Sequence, residues 1–189
     1  MKFSSLACQG ALCAAILLPA AALADGDARP SYWASSWQAA RDEVDSIWAS
    51  DKYELYLPVN IWHNRSRYSA EKIATYNEDP WGIGIGKYRY DSDGDWHALY
   101  AMAFLESHND IEPIVGYAFQ KMWRPGGDLR LGAGFTAGVT LRADYKYVPI
   151  PVLLPLLSLE YGRLAIQTTY IPGGSGNGNV LFTWLRWQM

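Results

Sequence analysis

Four polar residues could together support acyl transfer: His63, Glu106, Ser107 and Arg142. A neutral imidazole can take a proton from a hydroxyl, and a carboxylate can fix the tautomer of the ring. An arginine adds a cation to the same group. Because these residues are far apart in the sequence, the hypothesis requires a fold that brings them to one place.

The other two histidines are weaker candidates for this chemistry. His97 opens a predicted strand, and we expect it to be structural, whereas His108 adjoins Ser107 and could compete with His63. The three histidines do not have the spacing of zinc ligands. We therefore expect no metal site, and acyl transfer needs no cofactor where the donor carries the acyl group itself.

The chain after residue 52 has the alternation of β-strands. In 129–142, apolar residues alternate with small and polar ones over more residues than the roughly 5–6 of a typical strand. Its length suits a tilted membrane strand of about 9–11 residues. The predicted strands are 53–62, 81–90, 96–105, 112–123, 129–142, 150–161, 163–171 and 179–188.

An even number of strands is typical of a closed barrel in the bacterial outer membrane. The chain also has 9 Trp and 13 Tyr, residues that such barrels place at the lipid–water interface. We therefore predict an all-β fold, an eight-stranded antiparallel transmembrane β-barrel over residues 53–189. Small inward residues in several strands, and apolar residues on both faces of others, predict a lumen that holds an apolar ligand.

Loop lengths predict where the four polar residues lie. Short connections at 91–95, 125–128 and Gly162 alternate with longer ones. In outer-membrane barrels the short turns face the periplasm and the long loops face outside. The first, third and fifth strands then end at the outer rim, and this rim is where we expect His63, Glu106, Ser107 and Arg142 to meet.

The N-terminal part has two predicted segments. Residues 1–24 have the features of a secretory signal peptide: Lys2, an apolar run too short to span a bilayer, and Ala22-Leu-Ala24 before a cleavage point. Both cysteines lie in it, which leaves no thiol chemistry for the processed chain. Residues 25–52 are predicted to contain an amphipathic α-helix over 33–50, which lies in the membrane interface or, alternatively, packs on a core.

The charge balance bears on possible partners. The formal net charge is −3, and it becomes more negative without Lys2. Nucleic-acid binding needs a basic surface, so we expect no nucleic-acid partner.

Several stretches of the sequence resemble the PagP family of lipid A palmitoyltransferases, over about residues 53–189. The matching stretches are Tyr56-Leu-Pro58, Trp62-His63, Tyr76-Asn-Glu78, Pro80-Trp-Gly82, 96–104, Trp123-Arg-Pro125, 134–140, 151–156, Tyr170-Ile-Pro-Gly173 and Asn177-Gly-Asn-Val180.

The resemblance implies transfer of palmitate from the sn-1 position of a phospholipid to lipid A by a barrel with an N-terminal interfacial helix. The essential histidine of the family falls on His63, and its Asp-Ser pair falls on Glu106 and Ser107. Glutamate keeps the charge and is one methylene longer. We expect the loop to compensate; a displacement of about 1 Å could otherwise cost on the order of 100-fold in rate.

The resemblance also implies residues for lipid binding. The floor of the family's acyl pocket, usually glycine, falls on Ala118, where an extra methyl group would either shorten the preferred chain or be absorbed by shifted neighbours. Arg142 matches a rim arginine that could contact lipid phosphate. Four prolines match positions of lateral gates for lipid: Pro58, Pro80, Pro155 and Pro172.

Three functions remain open from the sequence. The leading hypothesis is a monomeric lipid A acyltransferase in which His63 is the general base, Glu106 orients it, and Ser107 attacks or stabilises an oxyanion. The second is a phospholipase that uses water as the acceptor. The third is a non-catalytic structural or lipid-binding barrel.

Overall fold

The computed structural model describes residues 32–174 and 178–189. The predicted signal peptide, residues 25–31 of the predicted N-terminal segment and Asn177 lie outside the described residues. None of the described helices is long and apolar enough to cross a membrane.

The described residues form a closed antiparallel barrel of eight strands in sequence order, which confirms the predicted fold. The strands are β1 (Tyr53–His63), β2 (Gly82–Tyr90), β3 (Trp96–Leu105), β4 (Ile111–Gly126), β5 (Leu129–Leu141), β6 (Pro149–Tyr161), β7 (Leu164–Ile171) and β8 (Val180–Gln188). Most predicted boundaries agree within one residue. β4 is the exception, because it continues to Gly126.

Two ends of the barrel can be distinguished by their loops. We call the end with the long connections 64–81, 106–110, 142–148 and 172–179 the mouth. A short helix, α2 (Ala70–Ile73), lies in the first of these loops, and a 3-10 turn (Ala143–Tyr145) lies in the third. β1, β3 and β5 all end at the mouth.

Two strand pairs separate near the mouth. The β1–β2 ladder covers only Tyr53–Tyr56 with Gly84–Lys87, and the β6–β7 ladder covers only Leu156–Tyr161 with Leu164–Thr169. The four prolines stand at these two openings. Pro58 and Pro80 flank the first, and Pro155 and Pro172 flank the second. Proline has no N–H to donate to a neighbouring strand, which fits the loss of pairing.

The N-terminal helix α1 (Tyr32–Trp48) lies at the opposite end from the mouth. Its Ile47 is buried, whereas several aromatic side chains are exposed. Glu43 accepts a hydrogen bond from Arg89 Nε at 2.9 Å and lies 3.0 Å from Nδ1 of His97. These contacts attach α1 to β2 and β3. The exposed aromatic residues are Tyr32, Trp33, Trp37 and Trp48.

The interior of the barrel changes character along its axis. The half nearer the mouth is mainly apolar, whereas the other half contains Glu54, Glu160 and Arg186, all fully buried. We call these three residues the ionic layer. Arg186 pairs with both carboxylates, and its guanidinium carbon lies 4.3 Å from the centre of the Trp96 ring. The predicted apolar lumen is therefore confined to the half nearer the mouth.

Candidate active site

His63 is the last residue of β1 and lies at the mouth. Its neighbour Trp62 points outward, while His63 is 2 % exposed. Nε2 of His63 lies 3.1 Å from Oγ of Ser107, and Nδ1 lies 3.0 Å from Oε1 of Glu78. The structure thus brings His63 and Ser107 together, as the sequence predicted, and adds a carboxylate that the sequence did not single out.

Glu78 comes from the long loop between β1 and β2. Its Oε1 also accepts the backbone N–H of His63 at 3.0 Å. Arg65 donates to both carboxylate oxygens at 2.6 Å, in a bidentate pair. Hydrogen bonds from Arg65, aided by those from His63, lower the pKa of Glu78 to about 2. The carboxylate is therefore ionised under ordinary conditions.

Glu106 has other partners, which corrects the expectation that it orients His63. Its Oε1 accepts the backbone N–H of His108 at 2.7 Å, and its Oε2 lies 3.0 Å from His108 Nδ1. The same Oε2 accepts from Arg142 at 3.2 Å. The Glu106 carboxylate turns toward its own loop because His108 is close in sequence and Arg142 lies at the same rim. In addition, Glu78 already occupies Nδ1 of His63.

Arg142 lies at the rim as expected, surrounded by carboxylates. Its guanidinium nitrogens lie 3.2 Å from Glu106, 3.2 Å from Glu112 and 3.0 Å from Asp144. Glu106, His108 and Asp144 have ligand atoms within 4.8 Å of one another. The arginine binds both of these carboxylates, so the cluster already contains a cation of its own.

The other two histidines differ in position. His97 lies near the opposite end of the barrel, where Nδ1 is 2.9 Å from the Tyr117 hydroxyl and Nε2 is 3.1 Å from Asp91. His108 lies at the mouth, but its Nδ1 binds Glu106 and its side chain is 47 % exposed. Within the described residues, the imidazole that contacts Ser107 is that of His63.

Aromatic rings of the β1–β2 loop enclose His63. Tyr76 stacks on the imidazole, with ring centres 4.6 Å apart and planes inclined by 20°. Tyr68 packs edge-on at 5.4 Å and donates a hydrogen bond from its hydroxyl to the Gly178 carbonyl. The imidazole is thereby held between two rings, with little room to rotate.

A cavity of about 960 Å³ extends from this site into the barrel. Ligand pockets commonly have volumes of about 300–1,000 Å³, so the cavity has room for a large apolar group. His63, Ser107 and Tyr76 lie at its mouth. The deeper walls and floor include Tyr56, Trp96, Tyr100, Met102, Phe104, Ala118, Thr136, Leu156, Phe182 and Trp184.

Ala118 lies deep in this cavity, on β4. It is 2 % exposed and stands opposite Ala98 of β3 and Thr136 of β5. It lies six positions along β4 from Glu112 at the rim, which corresponds to about 20 Å along a strand. The inward direction predicted from strand parity is confirmed by its place in the cavity lining.

The sequence did not identify Glu78 because its partner, His63, lies at the other side of the β1–β2 loop and not beside it in sequence. Two signals were available. Glu78 belongs to one of the stretches that resemble the known family, and the loop 64–81 begins and ends at the mouth. Neither signal says which carboxylate of the mouth reaches the imidazole.

Comparison with known proteins identifies the family of this chain. Residues 43–186 match the family model described as antimicrobial peptide resistance and lipid A acylation protein PagP. The chain is 64 % identical over 160 residues to lipid A acyltransferase PagP of Laribacter hongkongensis, covering 85 % of this chain and 76 % of the relative.

Two further relatives have the same description. The protein of Photorhabdus laumondii is 61 % identical over 156 residues, covering 82 % of this chain and 75 % of its own length. That of Yersinia enterocolitica is 57 % identical over 154 residues, covering 80 % and 76 %. Because the family model spans most of the barrel and identity is this high, the chain belongs to the PagP family.

Proposed function

We propose that this chain is an outer-membrane acyltransferase that moves a palmitate-like acyl chain from the sn-1 position of a phospholipid to lipid A. The relatives described above are called lipid A acyltransferases. The observation that supports the proposal most is the contact between His63 and Ser107 at the mouth of a deep, mainly apolar cavity. An acyl chain in the cavity would present its ester carbonyl to these two residues.

The chemistry follows from the position of Nε2 of His63. As a general base, Nε2 takes the proton of the attacking hydroxyl, whose oxygen then bonds to the ester carbonyl carbon of the donor. The bond between that carbon and the glycerol oxygen breaks, and His63 returns the proton to the leaving oxygen. The products are acylated lipid A and a lysophospholipid.

Ser107 has two possible roles in this scheme. Its Oγ could give its proton to His63 and attack the ester, which would form an acyl-enzyme that lipid A then resolves. Alternatively, the hydroxyl donates to the oxyanion of the tetrahedral intermediate while the lipid A hydroxyl attacks directly. Glu106 braces the same loop, because its carboxylate accepts the backbone N–H of His108. A direct catalytic role for Glu106 stays a prediction.

The depth of the cavity would set the length of the acyl chain. Ala118 places a methyl group where the matched family position is usually glycine, at the deep end of the cavity. Ala98 and Thr136 stand on either side of it in neighbouring strands. Packed interiors accommodate an extra methyl group poorly, which favours a chain slightly shorter than palmitate.

The two openings between strands would serve as lateral gates. Lipids could reach the cavity from the bilayer through the opening at Pro58 and Pro80 or through that at Pro155 and Pro172, without passing over the rim. Arg142 is the proposed contact for a lipid phosphate, although three carboxylates share its charge.

The proposal also includes the orientation of the barrel, its oligomeric state and its cofactor requirement. The mouth faces the outside of the cell, because long loops do so in outer-membrane barrels. The protein acts as a monomer and needs no cofactor, since the phospholipid brings the acyl group with it.

The test is a product analysis with purified protein in vesicles that contain lipid A and a phospholipid labelled in its sn-1 chain. We expect the label in lipid A and an equimolar amount of lysophospholipid. Label found only in free fatty acid would show a phospholipase, and label left in the phospholipid would show a non-catalytic barrel.

A further inference from the structure

We propose that Glu78, held by Arg65, is the positioning residue of His63, so that the working unit at the mouth is Ser107, His63 and Glu78. This inference rests on the proposed function, because it assigns the group that prepares the base for acyl transfer. The carboxylate fixes the proton on Nδ1 and leaves Nε2 free to accept one from Ser107 or the lipid A hydroxyl.

The hydrogen bonds at Oε1 of Glu78 determine the tautomer. An ionised carboxylate can only accept, so the Nδ1 atom 3.0 Å away must donate to it. A neutral imidazole has one N–H, and with the proton on Nδ1 the Nε2 atom is the acceptor. Nε2 is the atom 3.1 Å from Ser107 Oγ. The same carboxylate oxygen also accepts the backbone N–H of His63, which fixes it to the residue it orients.

Arg65 keeps the carboxylate ionised and in place. Its two terminal nitrogens bind the two oxygens of Glu78, and Nη1 also donates to the backbone carbonyl of His63 at 2.9 Å. Arg65 and Glu78 thus both bind the main chain of His63. Bidentate arginine–carboxylate pairs are strong and directional, which limits movement of the acid.

A purely structural role for the Glu78 side chain is less consistent with the contacts. The opening between β1 and β2 is bridged by the main chain of Glu78, whose carbonyl accepts from the N–H of Ile61 at 2.9 Å and from Asn60 Nδ2 at 3.2 Å. These bonds do not need the carboxylate. The side chain instead points to His63, while the cavity lining contains His63 and Ser107 but not Glu78.

The rate test compares isosteric variants of two glutamates of the same loop. Glu78→Gln removes the charge and keeps the volume, so kcat should fall by about 100- to 10,000-fold. KM for the phospholipid should change little, because Glu78 does not line the cavity. Glu78→Asp should restore part of the rate. The matched control is Glu71→Gln, an exposed residue of α2, which should leave kcat unchanged.

The second measurement reads the imidazole directly and does not depend on activity. Nitrogen NMR of the folded protein with ¹⁵N-labelled histidine should show the proton of His63 on Nδ1. In Glu78→Met, which removes the acceptor, it should move largely to Nε2.

An unchanged tautomer in Glu78→Met would overturn the proposal, whatever the rate. A changed tautomer would support it even if vesicle assays found no acyl transfer, in which case only the proposed function would fail.

Discussion

The two halves of the barrel contain very different interiors. The half at the mouth has two openings between strands, a large cavity and a site formed by the end of β1 and by loop residues. The opposite half has continuous pairing between all neighbouring strands and a buried ionic layer. In the proposed function the half at the mouth admits lipid, whereas the continuous pairing of the opposite half keeps the barrel closed.

The ionic layer shows how the second half is stabilised. Arg186 lies between Glu54 and Glu160, and Glu160 also binds Arg130 at 2.8 Å and Tyr90 at 2.9 Å. Moving a charged group out of water costs several kcal/mol of free energy per ion. The ion pairs and hydrogen bonds of the layer must offset this cost. Because the layer closes the bore beneath Tyr56 and Trp96, it also marks the limit of the apolar cavity.

The largest expected effect concerns catalysis at the mouth. His63→Ala should lower the rate of acyl transfer by about 100- to 10,000-fold, because the general base is lost. The measurement is the initial rate in lipid vesicles, with the folded fraction checked by circular dichroism. His108→Ala is the control, and we expect it to retain most of the activity. Equal losses in the two variants would contradict the assignment of the base.

The next effect concerns stability in the opposite half. Arg186→Ala should lower the free energy of unfolding by about 3–5 kcal/mol, since it leaves the buried Glu54 without its arginine partner and Glu160 with Arg130 alone. Urea unfolding of the protein in detergent micelles measures this change. Arg163→Ala, an exposed arginine next to the Gly162 turn, is the control and should change stability by less than about 0.5 kcal/mol.

The same Arg186 variant also tests whether the halves act separately. Without denaturant, its folded fraction should keep the acyl-chain preference of the parent protein. A shift in that preference would show that the ionic layer shapes the cavity floor.

Ala118, at the border between the two halves, should set the length of the acyl chain that is transferred. Ala118→Gly should lengthen the transferred chain by about one methylene, because the lost methyl group leaves a space of that size. Mass spectrometry of lipid A acylated from phospholipids of mixed chain length measures the shift. Ala101→Gly, on the outward face of β3, is the matched control. If both variants kept the parent's chain length, Ala118 would not be the floor.

The smallest effect is a pH dependence of stability at the mouth. The pKa of Glu78 is lowered from 4.5 to about 2, chiefly by hydrogen bonds from Arg65. Its stabilisation is therefore complete above about pH 4.5 and is lost as the pH falls through about 2.

Unfolding measured from pH 6 to pH 2 should show this loss in the parent protein and not in Glu78→Gln. Asp79→Asn, an exposed neighbour, should behave as the parent. A constant difference between parent and Glu78→Gln over the whole range would contradict the assignment.

Much of the fold could be predicted from the sequence, because inward and outward residues alternate along each strand. The alternation of 129–142 located β5 almost to the residue. The same pattern could not show that β1 and β2 separate beyond Tyr56, since pairing depends on the neighbour's path and not on the strand's own residues. The prolines indicated where strand pairing is lost, but not how far each opening extends.

The site was predictable in part for a related reason. His63 ends β1 and Ser107 lies just after the end of β3, and both strands run to the same rim, so topology alone brought them together. Glu78 lies in a long loop, where no periodicity fixes the direction of a side chain. Glu106 was assigned to His63 from its place beside Ser107, but short-range donors at His108 and Arg142 occupy its carboxylate.

The central claim is that an acyl chain enters the cavity of the mouth half and leaves it on lipid A. The most direct measurement is mass spectrometry of lipid A from outer membranes with this protein and with its His63→Ala variant. We expect the parent protein alone to add the mass of one acyl chain, of a single dominant length, to lipid A. Unchanged lipid A despite abundant folded parent protein, or the same increase with the variant, would contradict it.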